Sequence, residues 1–112
     1  MKRLWIAAGL CAAYVAGRAD VSRDLRLENA RVKVTELDYE PGKPREKSIR
    51  PSDQVIVFLD DCRYERIDPD TGMKTTRERK SGDVIWHNKG EAAPVLTNTG
   101  NKTYRTLVIE LK

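Results

Sequence analysis

One histidine, an aspartate pair beside a cysteine, and one short basic cluster are the side chains of this sequence with chemistry beyond packing to offer. His87, the only histidine, titrates near neutral pH and could act as a general acid or base. A single titratable group without a placed partner makes a poor active site, so a hydrogen-bonded turn histidine is the simpler use. Asp60, Asp61 and Cys62 supply, with His87, the atom types of a metal site. Adjacent residues of a strand point to opposite faces, so these do not converge and no metal is expected from them. Arg77-Glu78-Arg79-Lys80 could meet phosphates, but no aromatics interleave with it. It reads as a solvated face, with no nucleic-acid partner.

The segments that must position these side chains are short and β-prone. Residues 81–100 have the grammar of a β-hairpin: Gly82-Asp83 enters, Val84-Ile85-Trp86 extends, Asn88-Lys89-Gly90 breaks, Val95-Leu96-Thr97 resumes and Asn98-Thr99-Gly100 turns. Residues 54–59, Gln-Val-Ile-Val-Phe-Leu, are apolar on both parities and predict a central strand covered on each side. Asp68-Pro69-Asp70-Thr71-Gly72 joins two segments into an exposed hairpin. In residues 30–39 the apolar parity switches from Val32 and Val34 to Leu37 and Tyr39, which predicts a bulge near Thr35-Glu36. Residues 103–111 close the chain as a last strand through Leu107-Val108-Ile109. About seven short strands with no helical period predict an all-β sandwich or barrel.

The N-terminus is expected to lie outside that fold. Met1-Lys2-Arg3 is a basic start, residues 4–17 are uncharged and mostly apolar, and Gly17-Arg18-Ala19 is a small-x-small cleavage site. The run is shorter than the ~20 residues that cross a bilayer, so a cleaved export signal over residues 1–19 is expected, without a lasting membrane anchor. Bulky Leu10 before Cys11 argues against lipid attachment. The protein is then periplasmic or secreted. Cleavage removes Lys2, Arg3 and Arg18, which takes the 21 basic residues to 18 against 17 acids and the net charge from +4 to +1. Charge then says little about partners. Cys62 is left without an intramolecular partner. An arm over residues 20–29, either free or paired as an edge strand, would precede one domain over residues 30–112.

Residues 30–112 resemble a single small cupin domain, a double-sheet jelly-roll barrel. The first family motif places Gly, His-x-His, Glu and Gly in a fixed frame, which here holds Gly42, then Ser48 and Arg50 at the histidines, Gln54 at the glutamate and Asp61 at the closing glycine. In the second motif Gly82 and Gly90 match, Asn88 replaces the proline, Ala93 stands at the histidine and Asn98 lies one place beyond the asparagine. The resemblance implies a first-row divalent metal bound by the family's three histidines and carboxylate. Ser48, Arg50, Gln54 and Ala93 cannot hold one: arginine repels a cation and alanine has no donor atom. The chain is therefore expected to be free of metal and other cofactors.

What the resemblance implies is a metal-free module that binds a small molecule or a partner chain in or beside its barrel. Ser48, Arg50 and Gln54 stand at even spacing, so on one strand they would share the interior face. The charge of Arg50 favours an anionic ligand. Its counter-charge is either that ligand or an acid of the chain such as Glu46 or Asp53. Trp86 and His87 are assigned to the same lining, a core position being the other use of the tryptophan. Two further readings stand beside this one. The first is a metal-independent sugar epimerase or isomerase using His87 with Tyr39 or Tyr104, which needs His87 to face the interior beside an acid. The second is a structural homodimerisation domain with a filled barrel.

Overall fold

The computed structural model describes residues 21–112, so the expected export signal lies outside the described residues. Eleven strands are present among them, with no helix. In chain order they are β1 (Ser22–Glu28), β2 (Val32–Tyr39), β3 (Pro44–Arg45), β4 (Ser48–Ile49), β5 (Gln54–Phe58), β6 (Cys62–Ile67), β7 (Lys74–Arg79), β8 (Val84–His87), β9 (Ala92–Ala93), β10 (Val95–Asn98) and β11 (Tyr104–Leu111). One sheet runs β1-β2-β11-β5-β8, a second runs β3-β10-β6-β7, and β4 pairs with β9 in a short two-stranded ribbon. The residues expected as an arm supply the edge strand of the first sheet, antiparallel to β2.

Alternation along the strands places Leu37, Tyr39, Ile56, Phe58 and Tyr104 of the first sheet against Tyr64 of the second, and these form the core. Tyr39 and Tyr104 stack with centroids 4.6 Å apart, and the Phe58 and Tyr64 rings bridge the two sheets at 6.2 Å. Four aromatic rings share this core with Val21, Leu37 and Ile56, and Ile85, Leu96 and Val108 pack against it.

Three expectations need correction. The two strands of residues 81–100 do not form a hairpin: β8 pairs with β5 in one sheet, and β10 pairs with β3 and β6 in the other. The turn chemistry between them is real, but it carries the chain across the barrel. The bulge lies not in β2 but opposite it, where the β1 register shifts between Leu25 and Leu27 and leaves Arg26 as the extra residue. The mixed parity of β2 has another cause. Glu36, on its outer side, is buried under Arg26, whose Nη2 donates to Glu36 Oε1 at 2.7 Å. Finally, β5 lies between β11 and β8 as a central strand should, yet only its inner face is closed. Gln54, Ile56 and Phe58 are buried while Val55 and Val57 are half-buried.

The predicted turn at residues 68–72 forms as expected between β6 and β7. Asp68 Oδ1 accepts the N–H groups of Asp70 and Thr71 at 2.8 and 3.0 Å, and Gly72 takes the left-handed φ of 74° that the turn demands. Asn98, 2% exposed, ties the end of β10 to its surroundings. Its Nδ2 donates to the carbonyls of Tyr39 and Lys102 at 2.8 and 2.7 Å, and its Oδ1 accepts the Gly100 N–H at 2.8 Å.

Candidate functional site

A cavity of about 470 Å³ opens at one end of the barrel, and Ser48, Arg50, Gln54 and Ala93 all line it. The four places of the frame thus converge, though not by the route expected. Ser48 belongs to β4, Arg50 to the connection that follows, and Gln54 begins β5. Pro51 and two further residues break the strand between them, so shared parity is not what brings the side chains together. Ser48 is exposed, whereas Arg50 and Gln54 are 7% and 6% exposed.

Arg50 Nη1 donates to Gln54 Oε1 at 3.1 Å. A second guanidinium lies nearby. Arg45, from β3 and 6% exposed, donates Nη1 to Tyr39 Oη at 3.2 Å and Nη2 to the Pro94 carbonyl. Among the described residues neither cation forms an ion pair with a carboxylate; Glu46 forms none at all and Asp53 Oδ1 accepts the Lys89 N–H instead. Burial, and then the charge of Arg45, lower the affinity of Arg50 for its proton. Two buried guanidiniums thus lie at this end of the barrel without a carboxylate bound to either, which is a costly arrangement for charge in an interior.

Arg45 and Arg50 also line a second cavity of about 250 Å³, further along the barrel, whose wall includes His87. The histidine faces inward, with Nδ1 3.1 Å from Glu91 Oε1. Burial holds its pKa below the usual imidazole value against the opposing pull of Glu91, and Arg50 and Arg45 lower it further. The Asn88 N–H and side-chain amide hold Glu91 ionised below its ordinary range, so Nδ1–H donates to it and the neutral ring keeps Nε2 as its acceptor.

Trp86 does not belong to this lining or to the core. Its place in β8 is opposite in parity to Ile85 and His87, so it is 51% exposed on the outer face, with Nε1 donating to Asn88 Oδ1 at 2.8 Å. The basic cluster is for the most part a solvated face, Arg77, Glu78 and Lys80 being exposed and Arg79 half-buried. Glu78 points outward and pairs with Arg63 at 3.0 Å, while Arg77 and Arg79 line the second cavity. The signal was present as an i, i+2 alternation, with Arg77 opposite Tyr64 and Arg79 opposite Cys62. Arg45 gave none, because a two-residue strand after a proline has no period to read.

Among the described residues no group of histidine, cysteine, aspartate and glutamate could hold a metal ion. Both oxygens of Asp60 accept from Arg105 and Asp61 Oδ1 accepts the Ser81 N–H. The donor set at the four frame positions, with a guanidinium in its midst, does not fit a metal. Cys62 is half-buried against the core, and burial pushes its thiol up to about 11, so it packs as a protonated side chain.

No protein-family model matches the sequence, and no curated protein does. Solved structures do match. A cupin domain from Bordetella pertussis Tohama I superposes with a TM-score of 0.74 at 21% identity, over 88% of this chain and 99% of that one. A cupin superfamily protein from Desulfitobacterium hafniense gives 0.62 at 13% identity, over 88% and 83%. An uncharacterised double-stranded β-helix protein from Klebsiella pneumoniae gives 0.66 at 17%, over 87% and 81%. The chain has the cupin fold, a single-domain all-β jelly roll.

Proposed function

We propose that the protein is an exported, metal-free cupin-like module that binds a small anionic ligand inside its barrel. One observation carries the reading: Arg45 and Arg50 are buried side by side without a carboxylate partner. Leaving two guanidiniums in that state costs stability that an incoming carboxylate or phosphate restores through charge-assisted, bidentate hydrogen bonds. Gln54 holds Arg50 in place, and Ser48 at the rim adds a hydroxyl. Cavities of about 470 and 250 Å³ supply the room that a barrel filled by its own side chains would lack.

The test is native mass spectrometry of protein purified from its own host, together with metal analysis. An anionic adduct lost on mild activation and less than a tenth of a metal per chain is the expected pair of results. A stoichiometric metal that survives chelation, or a bare chain under every gentle condition, overturns the reading.

A second reading is favoured by one specific observation, the inward His87 with Glu91 on its Nδ1. A metal-independent epimerase or isomerase needs such a base; Tyr104, whose burial raises its phenol well above the ordinary value, stays protonated and is a poor acid, so the second proton transfer would fall to Tyr39 or to water. Deuterium uptake from solvent into an offered keto-sugar, lost in His87→Gln, would establish it. Homodimerisation through the outer face of the five-stranded sheet, where Val84 is 61% and Trp86 51% exposed, is compatible with either reading.

A further inference from the structure

The second cavity has a composition unlike the rest of the surface. Five arginines line it, Arg45, Arg50, Arg66, Arg77 and Arg79, together with His87, and no aspartate or glutamate lines it at all. Among the described residues none of the five forms an ion pair, although acids are plentiful nearby on the outer faces. Strand alternation produces this segregation: Tyr64 and Arg66 on β6 and Arg77 and Arg79 on β7 project inward, while Arg63, Glu65 and Glu78 project outward.

The inner end of the cavity is equally unfinished. Arg45 Nε, Arg50 Nε, Tyr104 Oη and Thr106 Oγ1 are buried polar atoms without a hydrogen-bond partner, and all four residues line this cavity and are more than nine-tenths buried. Native interiors leave few such atoms, and four residues of one cavity wall carry them, the atoms themselves being closed off behind that wall. Between this end and the outer arginines the wall is apolar, formed by Ile56, Phe58, Ile85 and Leu96. Arg79 is fixed at that wall, 5.6 Å from the Phe58 ring centroid and with Nε donating to Tyr64 Oη at 3.4 Å.

We infer that the second cavity is the seat of a small organic anion carrying more than one negative charge on an apolar body. One anionic group engages the guanidiniums of Arg45 and Arg50, the body packs on Phe58 and Leu96, and the remaining charge meets Arg66, Arg77 and Arg79. The inference rests on the reading that Arg50 takes an anion, and adds where that anion sits and what it carries. Arginines rather than lysines line the seat, which suits planar, bidentate recognition of carboxylate or phosphate oxygens.

The probes are phenyl phosphate, phthalate, benzoate and inorganic phosphate, titrated calorimetrically at pH 8 into wild type, Gln54→Leu and the double variant Arg77→Ala/Arg79→Ala, with circular dichroism as the check on folding. Arg77 is exposed, but Arg79 packs on Phe58 and Tyr64 of the core, so Arg77→Ala alone is measured beside the double variant and shares its fold check. Phenyl phosphate or phthalate is expected to bind at least ~10-fold more tightly than benzoate or inorganic phosphate, with affinity falling as salt rises. The double variant should lose ~10-fold or more, and Gln54→Leu, which removes the bond that holds Arg50 but no side chain lining this cavity, should lose clearly less than the double variant. If a bis-anion binds but Gln54→Leu abolishes it while the double variant leaves it intact, the anion sits in the first cavity: the inference falls and the anion-binding function stands. If wild type binds none of the four, the inference falls as well.

Discussion

Arg50 donates from Nη1 to Gln54 Oε1 at 3.1 Å, joining two buried residues that the spacing of the sequence sets at a histidine and the glutamate of the cupin motif. A guanidinium bound to an amide gives this part of the barrel a fixed positive charge and no carboxylate. Arg50→Ala tests the consequence. Loss of charge-assisted hydrogen bonds should weaken anion binding by ~10- to 100-fold, the reading of about 1.5–3 kcal/mol. The ligand-free fold should change by less than about 1 kcal/mol or gain stability, because an unpaired buried charge has gone. A melting temperature that drops with no change in anion binding would show that the partner of Arg50 is internal after all.

His87 gives a pH dependence whose sign follows from its surroundings. Burial lowers its pKa below the ordinary imidazole value of about 6.5, with Arg50 and Arg45 pushing the same way and Glu91 opposing. Between the lowered folded value and 6.5 the unfolded chain binds more protons than the folded one, so stability rises with pH across that window. The contribution of His87 is full above pH 6.5 and is lost as pH falls through the folded value. Denaturant unfolding at pH 7.5 and 5.5 should give a lower midpoint at the acid pH, and His87→Gln should flatten the difference.

Asn98→Ala removes three hydrogen bonds at a residue 2% exposed and strands the Tyr39 and Lys102 carbonyls. A loss of about 2–4 kcal/mol is expected, since buried acceptors left unpaired cost more than the mean hydrogen bond. Asn98→Asp, which keeps the acceptor for Gly100 but not the donors, should recover only part of it. Urea unfolding of the two variants separates the contributions.

The strands were legible because their apolar runs and turn residues are local signals. Gln54–Phe58, the pair flanking residues 68–72, and Val84–His87 all lie where period and turn chemistry place them. Which strand pairs with which was not legible at residues 81–100, since a turn with hairpin chemistry fixes the local backbone but not the sheet that receives the next strand. The site followed the same division. Arg50 and Gln54 were found through their places in a frame, whereas Arg45 and Arg66 depended on sheet pairing distant in sequence. Trp86 was misplaced because Val84-Ile85-Trp86 is apolar on both parities, and only the pairing of β8 with β5 decides which parity faces in.

The basic start, apolar run and Gly17-Arg18-Ala19 site give a prediction about processing. Intact-mass measurement of protein from its own host should place the N-terminus at Asp20, in the exported fraction. Met1 retained on cytoplasmic protein would remove the export reading while leaving the barrel and its arginines untouched.

The extra residue Arg26 in β1 has a consequence for what can add to the sheet. Every residue of β1 is exposed, and Arg23, Asp24, Arg26 and Glu28 spread charge of both signs along it. Edge strands with free backbone groups are templates for runaway strand addition, the first step toward fibrils. An approaching strand would have to match a kinked register and find a counter-charge at almost every step. Among the described residues β1 is the edge of its sheet, and straightening it by deleting Arg26 should make that edge a better template for strand addition.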